Sequence, residues 1–329
     1  MPDRTDQPGV YAVGVDVGGT KIAAALVDAS GKLLGNTRCP TVISGPESTL
    51  DGIASTVSLA IQSTGIADSD IRGVGLGIPG TVDPVLGLGL ASVNLNWRNV
   101  AVVEGLERRL SIPCRIENDV RAAGLGEARF GAGVGKSSLV FLTIGTGVAA
   151  SVILDGKIWR GSHGLAGEIG HTSFDPYGPQ CKCGGTGCLE ALVSGPAIAA
   201  RAAAKVITAS SSARRDSDAL RGSKLTARIV FAAARQGNAL ALEVIEETCS
   251  YLALAIQWLV LSYDPQLMVL GGGVSQAGDQ LLTPLTHHLQ RLADASWVFG
   301  SIFNPDLVQL STLGEDSGIL GAAALFASD

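Results

Sequence analysis

The sequence predicts an α/β protein made of two similar halves. Three observations predict it. A strand, a glycine turn and a second strand occur at residues 10–28 and again at 138–154, roughly 125 residues apart. Strand-like apolar runs and segments of helical period follow one another along the rest of the chain. The 329 residues, 46% hydrophobic and only 16% charged, hold enough apolar side chains for two sizeable cores. Two such halves would face a shared cleft.

Taken in order, residues 1–9 read as a loose tail. Residues 10–17 form a strand, Gly18-Gly19-Thr20-Lys21 a turn, 22–28 a second strand and 32–38 a third, an antiparallel meander. Pro46 and Glu47 open a helix that runs to about Thr64. Residues 71–78 are a strand ended by Pro79-Gly80, and Thr81–Pro84 are turn residues. A helix covers 106–110, a short strand 114–117 and a helix 120–130. In the second half, 138–144 and 148–154 are strands around the turn Gly145-Thr146-Gly147. Helices cover 197–207, 225–236 and 239–261. The segment 208–223, rich in Ser, Arg and Asp, reads as an exposed, mobile insertion. Residues 267–270 are a strand running into Gly271-Gly272-Gly273, and an Ala-rich helix at 319–326 closes the chain.

Composition narrows the function classes. A net charge of −6 argues against a general nucleic-acid binder. The first residues, MPDRTDQPG, lack the apolar core of a secretory signal. The longest apolar stretch, 251–261, is too short to cross a bilayer. Cys39, Cys114 and Cys249 are scattered and read as free thiols, which suits a reducing cytoplasm.

The most informative stretch is GEIGHTSFDPYGPQCKCGGTGCLE, residues 167–190. His171, Cys181, Cys183 and Cys188 make a complete tetrahedral zinc set of the structural kind. Thiolates and an imidazole suit zinc, whereas magnesium wants oxygens. Gly184, Gly185 and Gly187 let the backbone fold tightly between the last two thiolates. Glu168 and Glu190 bracket the set, so a closed knot would hold two carboxylates rigidly beside a pocket. The plain alternative is three free cysteines in a glycine-rich loop.

A second candidate is Asp16-Val17-Gly18-Gly19-Thr20-Lys21, an acid at a strand end followed by bare backbone, a hydroxyl and a cation. Backbone N–H groups of such a turn can meet phosphate oxygens, and a buried Asp can face hydrated magnesium. Gly145-Thr146-Gly147 offers a matching turn. Glu117-Asn118-Asp119 precedes a helix, where Asn and Asp also serve as plain N-caps. Three motif matches fail on context. Gly75-x-Gly77-x-x-Gly80 has no helix after it, the relaxed dinucleotide match at Gly145 is followed by a strand, and 131–137 follows a helix with the wrong P-loop spacing. His163, His287 and His288 read as structural or solvated.

DVGGTK, GIPG, ENDVRAA, IGTG, GEIGH, the His-Cys-Cys-Cys knot ending in GCLE, and GGGV occur in this order. Together they resemble the ROK family of repressors, uncharacterised reading frames and sugar kinases, over nearly the whole chain. The resemblance implies the actin/hexokinase-like ATPase fold, with duplicated ribonuclease-H-like domains. We place these at 1–120 with 307–329, and at 121–306. It implies that Asn118, Asp119, Glu168, His171 and Glu190 hold sugar hydroxyls, and that Asp119 is the catalytic base. His171, Cys181, Cys183 and Cys188 would bind structural zinc. Asp16, Gly18, Gly19, Thr20, Lys21, Gly145, Thr146 and Gly147 would hold the phosphates of ATP with magnesium, and Gly271, Gly272 and Gly273 would lie near the adenosine. A homodimer and a cytoplasmic location are further expectations, with no nucleic acid or membrane partner.

Two departures matter. The second phosphate turn continues as Val148-Ala149-Ala150 where the family has more glycine. Seventeen residues precede the first turn, too few for the DNA-binding helix-turn-helix of family repressors. The expectation is therefore an ATP-dependent hexokinase acting on the 6-hydroxyl of glucose. GEIGH and NLNW at 94–97 resemble the family's glucokinases. N-acetylmannosamine or N-acetylglucosamine kinases and a non-catalytic sugar sensor are the rivals.

Overall fold

The computed structural model describes residues 10–208, 216, 220 and 224–327. The tail at 1–9 and, apart from residues 208, 216 and 220, the insertion at 208–223 lie outside the described residues. The chain divides into two compact units. The first takes the chain up to Ser137, then Ser151–Ala166 and the chain from Glu315 on; the second takes Ser138–Ala150 and Gly167–Gly314.

In the first unit, β1 (Tyr11–Val17), β2 (Lys21–Val27) and β3 (Leu33–Pro40) form the antiparallel meander. β4 (Ile71–Ile78) and β8 (Cys114–Asn118) continue the sheet in parallel with β1, giving the order β3-β2-β1-β4-β8. The interior strands are almost wholly apolar because both faces are covered. Helix α1 (Pro46–Gln62) starts with Pro at its first turn and packs on β2 and β3. Its Leu50, Ile53, Val57, Ala60 and Ile61 are buried at helical spacing. A short helix, α2 (Val102–Leu110), packs against α1. Helices α3 (Asp119–Phe130) and α10 (Ser317–Ala324) pack together and on β4.

Glycines decide how close α10 comes. A Cβ at Gly75 would stand 1.8 Å from the Ala322 carbonyl oxygen, and one at Gly14 1.9 Å from that of Ile319. The Gly75-x-Gly77 run is thus a packing surface for helix backbone, which explains a dinucleotide-like pattern with no helix after it.

Residues 81–101 form a separate antiparallel meander, β5 (Thr81–Asp83), β6 (Leu88–Ser92) and β7 (Trp97–Ala101). Only turn residues were expected at its start. Its strands are short and glycine-broken, so period-2 alternation is hard to see. α2 likewise starts at Val102, earlier than its apolar spacing suggests.

The second sheet has the order β11-β10-β9-β12-β13, the same plan as the first. Its strands are β9 (Ser138–Ile144), β10 (Val148–Leu154), β11 (Lys157–Trp159), β12 (Leu267–Gly271) and β13 (Val308–Leu310). β12 lies parallel between β9 and β13. The helices of the second unit are α4 (Leu189–Val193), α5 (Gly195–Thr208), α6 (Ala227–Arg235), α7 (Ala239–Tyr263), α8 (Asp279–Ala295) and α9 (Trp297–Ile302). No helix among the described residues is long and apolar enough to cross a membrane.

The unit boundaries differ from 120/121 and 306/307. Helix α3 belongs with the first unit because Gly126 and Gly321 let it lie against α10: a Cβ at Gly321 would stand 1.6 Å from the Ala122 carbonyl oxygen. The hairpin β10–β11 also contributes to the first unit, through Ser151–Ala166.

Candidate active site

In the first unit, β8 ends at Asn118 and α3 begins at Asp119. Asn118 is the N-cap. Its Oδ1 accepts from the N–H groups of Val120 and Arg121, each at 3.1 Å. Its Nδ2 donates to the Gly80 carbonyl at 3.1 Å and to Asp119 Oδ1 at 3.0 Å. Asp119 Oδ1 also accepts from Val120 N–H at 2.9 Å. The carboxylate is therefore fixed in place, with the GIPG turn held beside it through Gly80. Glu117, one residue earlier, is fully buried and holds Arg121 and Arg160.

Asp16 stands near the end of β1, where a Cβ on Gly318 would come 3.3 Å from its Cγ. Burial pushes its carboxyl above the usual range, with Lys21 pulling it down and Glu315 pushing it up. The turn that follows is closed by Gly18 N–H donating to the Lys21 carbonyl at 2.9 Å. Thr41 donates its hydroxyl to the Gly18 carbonyl at 2.6 Å. Gly19 lies against Asn94 of the NLNW stretch, 3.2 Å from a Cβ placed there to the Asn94 Cβ. Lys21 Nζ is 3.7 Å from Glu315, so the turn and the entry to α10 share a cation.

In the second unit, Gly145 N–H donates to the Gly147 carbonyl at 2.9 Å, making the second glycine turn. Gly195 N–H reaches the Gly145 carbonyl at 2.8 Å, and Val274 N–H reaches that of Ile144 at 2.9 Å. These bonds gather three loops around a cavity of 500 Å³ lined by Gly145, Thr146, Pro196, Thr226, Arg228 and Gly273, among others. Of the three glycines expected near an adenosine, Gly273 alone lines it. Gly272 has φ +83° and supplies the bend, while a Cβ on Gly271 would stand 2.4 Å from the nearest atom of the Phe141 ring. Pro196, Thr226 and Arg228 carry no motif, and sequence reasoning missed them. The single clue was Gly195-Pro196 opening a helix.

Glu190 connects that turn to the cysteine loop. Its Oε2 accepts from Val148 N–H at 3.1 Å, directly after Gly147, and it lies two residues beyond Cys188. In the loop, Cys183 Sγ and Cys188 Sγ are 3.6 Å apart and Cys181 Sγ is 3.8 Å from His171 Nδ1. The four ligand atoms all lie within 4.8 Å of one another. Thiolates about 2.3 Å from a tetrahedral zinc stand about 3.8 Å apart, so donor set and spacing fit that ion. Gly185 N–H donates to Cys183 Sγ and draws its thiol down to about 7, with the neighbouring cysteines helping. Burial pushes the Cys188 thiol up to about 12, so it stays protonated at neutral pH unless a bound cation displaces the proton. Cys114 and Cys249 are buried, and burial pushes their thiols up to about 12 as well. His171 presents its other nitrogen, Nε2, 3.9 Å from Glu168 Oε2.

The structure thus brings Asn118 with Asp119 in one unit, and Glu168, His171 and the cysteines in the other. The ROK family matches residues 12–329. A glucokinase of Halalkalibacterium halodurans is 36% identical over 96% of this chain and 94% of its own length. An N-acetylmannosamine kinase of Shigella boydii is 34% identical over 94% and 96%. Among solved structures, a ROK family glucokinase from Streptomyces griseus in complex with glucose and AMPPNP superposes with a TM-score of 0.80 at 31% identity, covering 96% of this chain and 98% of the other. On the match along nearly its whole length, the chain belongs to the ROK family.

Proposed function

We propose that the protein is an ATP-dependent hexokinase that phosphorylates the 6-hydroxyl of glucose. The observation that carries this reading is the division of labour in His171. Nδ1 faces Cys181 in the cysteine cluster while Nε2 faces Glu168, so one imidazole can serve a metal and a sugar hydroxyl together. The 36% identity to a glucokinase supports the substrate.

In this reading Glu168, His171 and Glu190 accept from and donate to the ring hydroxyls. Asn118 and Val120 N–H hold the Asp119 carboxylate, which accepts the proton of the 6-hydroxyl as its oxygen bonds to the γ-phosphorus. The turns at Gly18–Lys21 and Gly145–Gly147 hold the phosphates through backbone N–H groups, and Asp16 faces hydrated magnesium. Zinc held by His171, Cys181, Cys183 and Cys188 supplies rigidity alone, because four protein ligands leave no open position. We place the adenosine in the cavity lined by Thr146, Arg228 and Gly273. A cytoplasmic homodimer completes the reading, with half-exposed Trp258 and Leu261 on α7 as candidate contact residues.

An N-acetylmannosamine kinase is the second reading, favoured by the 34% identity to one. A coupled ADP-release assay with Mg-ATP decides between them. We expect glucose to give the highest kcat/KM among hexoses and N-acetylhexosamines. N-acetylmannosamine outrunning glucose establishes the second reading, and no turnover with any of these sugars leaves a sugar sensor.

A further inference from the structure

Glu117 stands immediately before Asn118 and Asp119, and its side chain is fully buried. β8 is the edge strand of its sheet, so part of its backbone has no neighbouring strand to bond. Glu117 Oε1 takes one such group, the Asn118 N–H, at 2.9 Å. The same oxygen faces Arg121 Nε at 3.3 Å, from the third residue of α3. Oε2 accepts from both Nε and Nη2 of Arg160, the residue that follows β11.

These bonds close around Asn118. Glu117 holds its N–H, and Arg121 N–H donates to its Oδ1 at 3.1 Å. Asn118 Nδ2 in turn holds Asp119 Oδ1 at 3.0 Å. Asn118 therefore aims the Asp119 carboxylate, and Glu117 fixes Asn118. Stability alone does not account for the buried charges. Apolar side chains of similar volume often serve a core as well as an ion pair, because desolvating the charges offsets their attraction. An apolar side chain at 117 would, however, leave Asn118 N–H without its acceptor. Arg160 orients that acceptor, since two donors in one rigid fork set the direction of a carboxylate as a point charge does not.

We propose that Glu117 and Arg160 are positioning residues for phosphoryl transfer, acting through Asn118 to hold the Asp119 carboxylate against the sugar hydroxyl. The role rests on the reading of Asp119 as the base. A misplacement of about 1 Å at a reacting group costs about 10²-fold in rate. Loss of Arg160 should therefore appear in kcat and not in substrate affinity.

The test is a double-variant cycle on the full chain with glucose and Mg-ATP. Arg160→Met, Arg160→Lys, Asp119→Asn and the pair Asp119→Asn/Arg160→Met are compared by kcat, with glucose and AMPPNP affinities from calorimetry. The Arg160 side chain is 42% exposed while that of Glu117 is 0% exposed, so changes at Arg160 disturb the core less. We expect Arg160→Met to lose about 10–10²-fold in kcat, with both affinities within about threefold of wild type. Arg160→Lys keeps the charge without the fork and should recover part of that loss. In the Asp119→Asn background, Arg160→Met should lower kcat by less than about twofold, because the group it positions is gone. If Arg160→Met fails to fold, Arg160→Lys takes its place in both backgrounds. Near-wild-type kcat in the folded Arg160 variant, or weakened affinity in place of lowered kcat, would overturn the proposal. An equal loss of kcat in both backgrounds would do so too, since Arg160 would then act outside the path to Asp119. Near-normal kcat in Asp119→Asn, or no turnover by the wild type, overturns the reading of Asp119 as the base and this role with it.

Discussion

Arg160 grips Glu117 with both edges of its guanidinium fork, Nε at 2.7 Å and Nη2 at 2.6 Å from Oε2. The carboxylate is fully buried, and its Oε1 takes Arg121 Nε at 3.3 Å and Asn118 N–H at 2.9 Å. Arg121 in turn donates to the Gly164 carbonyl at 3.0 Å. Glu117 therefore ties the start of α3, with Asp119, to the segment that runs on towards Glu168.

Removing Glu117 leaves a buried arginine uncompensated, whereas removing Arg160 leaves Glu117 paired with Arg121. Breaking a buried pair from the uncompensated side costs about 3–5 kcal/mol. We expect Glu117→Gln to lose that much stability in urea unfolding and Arg160→Met about half as much. Equal losses would show that Arg121 does not depend on Glu117.

Asp16 is raised above its ordinary pKa chiefly by burial, so its ionised form opposes folding. The sign follows. Stability associated with the protonated carboxyl is present below the ordinary value of 3.8 and is lost as pH rises through the raised folded value. Asp16→Asn should therefore raise the melting temperature at pH 7, and the gain should shrink towards pH 4. Activity should fall by about 10²-fold through the lost phosphate-side charge stabilisation. A variant less stable at pH 7 than wild type contradicts this account of Asp16.

Two glycine substitutions separate packing from function. Gly75→Ala puts a methyl 1.8 Å from the Ala322 carbonyl oxygen, and should cost about 3 kcal/mol or prevent folding. Gly273→Ala meets nothing within 4 Å, so it should fold normally and raise KM for ATP. Thermal melts beside ATP titrations distinguish them. A stable Gly75→Ala protein would remove the close approach of α10 from the explanation.

Much of this was legible in the sequence because its chemistry is local. The meander and the cysteine loop are written in contiguous residues, and Asn118-Asp119 announces both a cap and an acid. What was illegible depends on partners far along the chain. The failed dinucleotide match at Gly75 gave no hint of the α10 backbone that packs on it, and Gly271, expected near an adenosine, gave none of the Phe141 ring set against it. Thr226 and Arg228 line the second-unit cavity that backbone bonds from 195 to 145 and from 274 to 144 gather together. Glu117 was visible as the first residue of Glu117-Asn118-Asp119, but its pairing with Arg121 and Arg160 was not, since the Arg160 partner lies far along the chain.

The metal account predicts one zinc per chain by elemental analysis of purified protein. Cys183→Ser should empty the site and abolish detectable glucose binding by calorimetry, because Glu168 and Glu190 flank the loop that the ion holds together. Structural zinc contributes folding energy, so chelation should also lower the melting temperature. Metal-free protein with full activity would contradict it.

The central claim is that Asp119 accepts the proton of the sugar hydroxyl. Asn118, not Asp119, caps α3, so Asp119→Asn leaves the cap intact. The measurement is kcat of Asp119→Asn with Mg-ATP beside glucose affinity by calorimetry. The account predicts a loss in kcat of about 10²–10⁴-fold, with affinity within about tenfold of wild type, 1.4 kcal/mol. Near-normal kcat in that variant would contradict it and reduce Asp119 to a residue of the helix start.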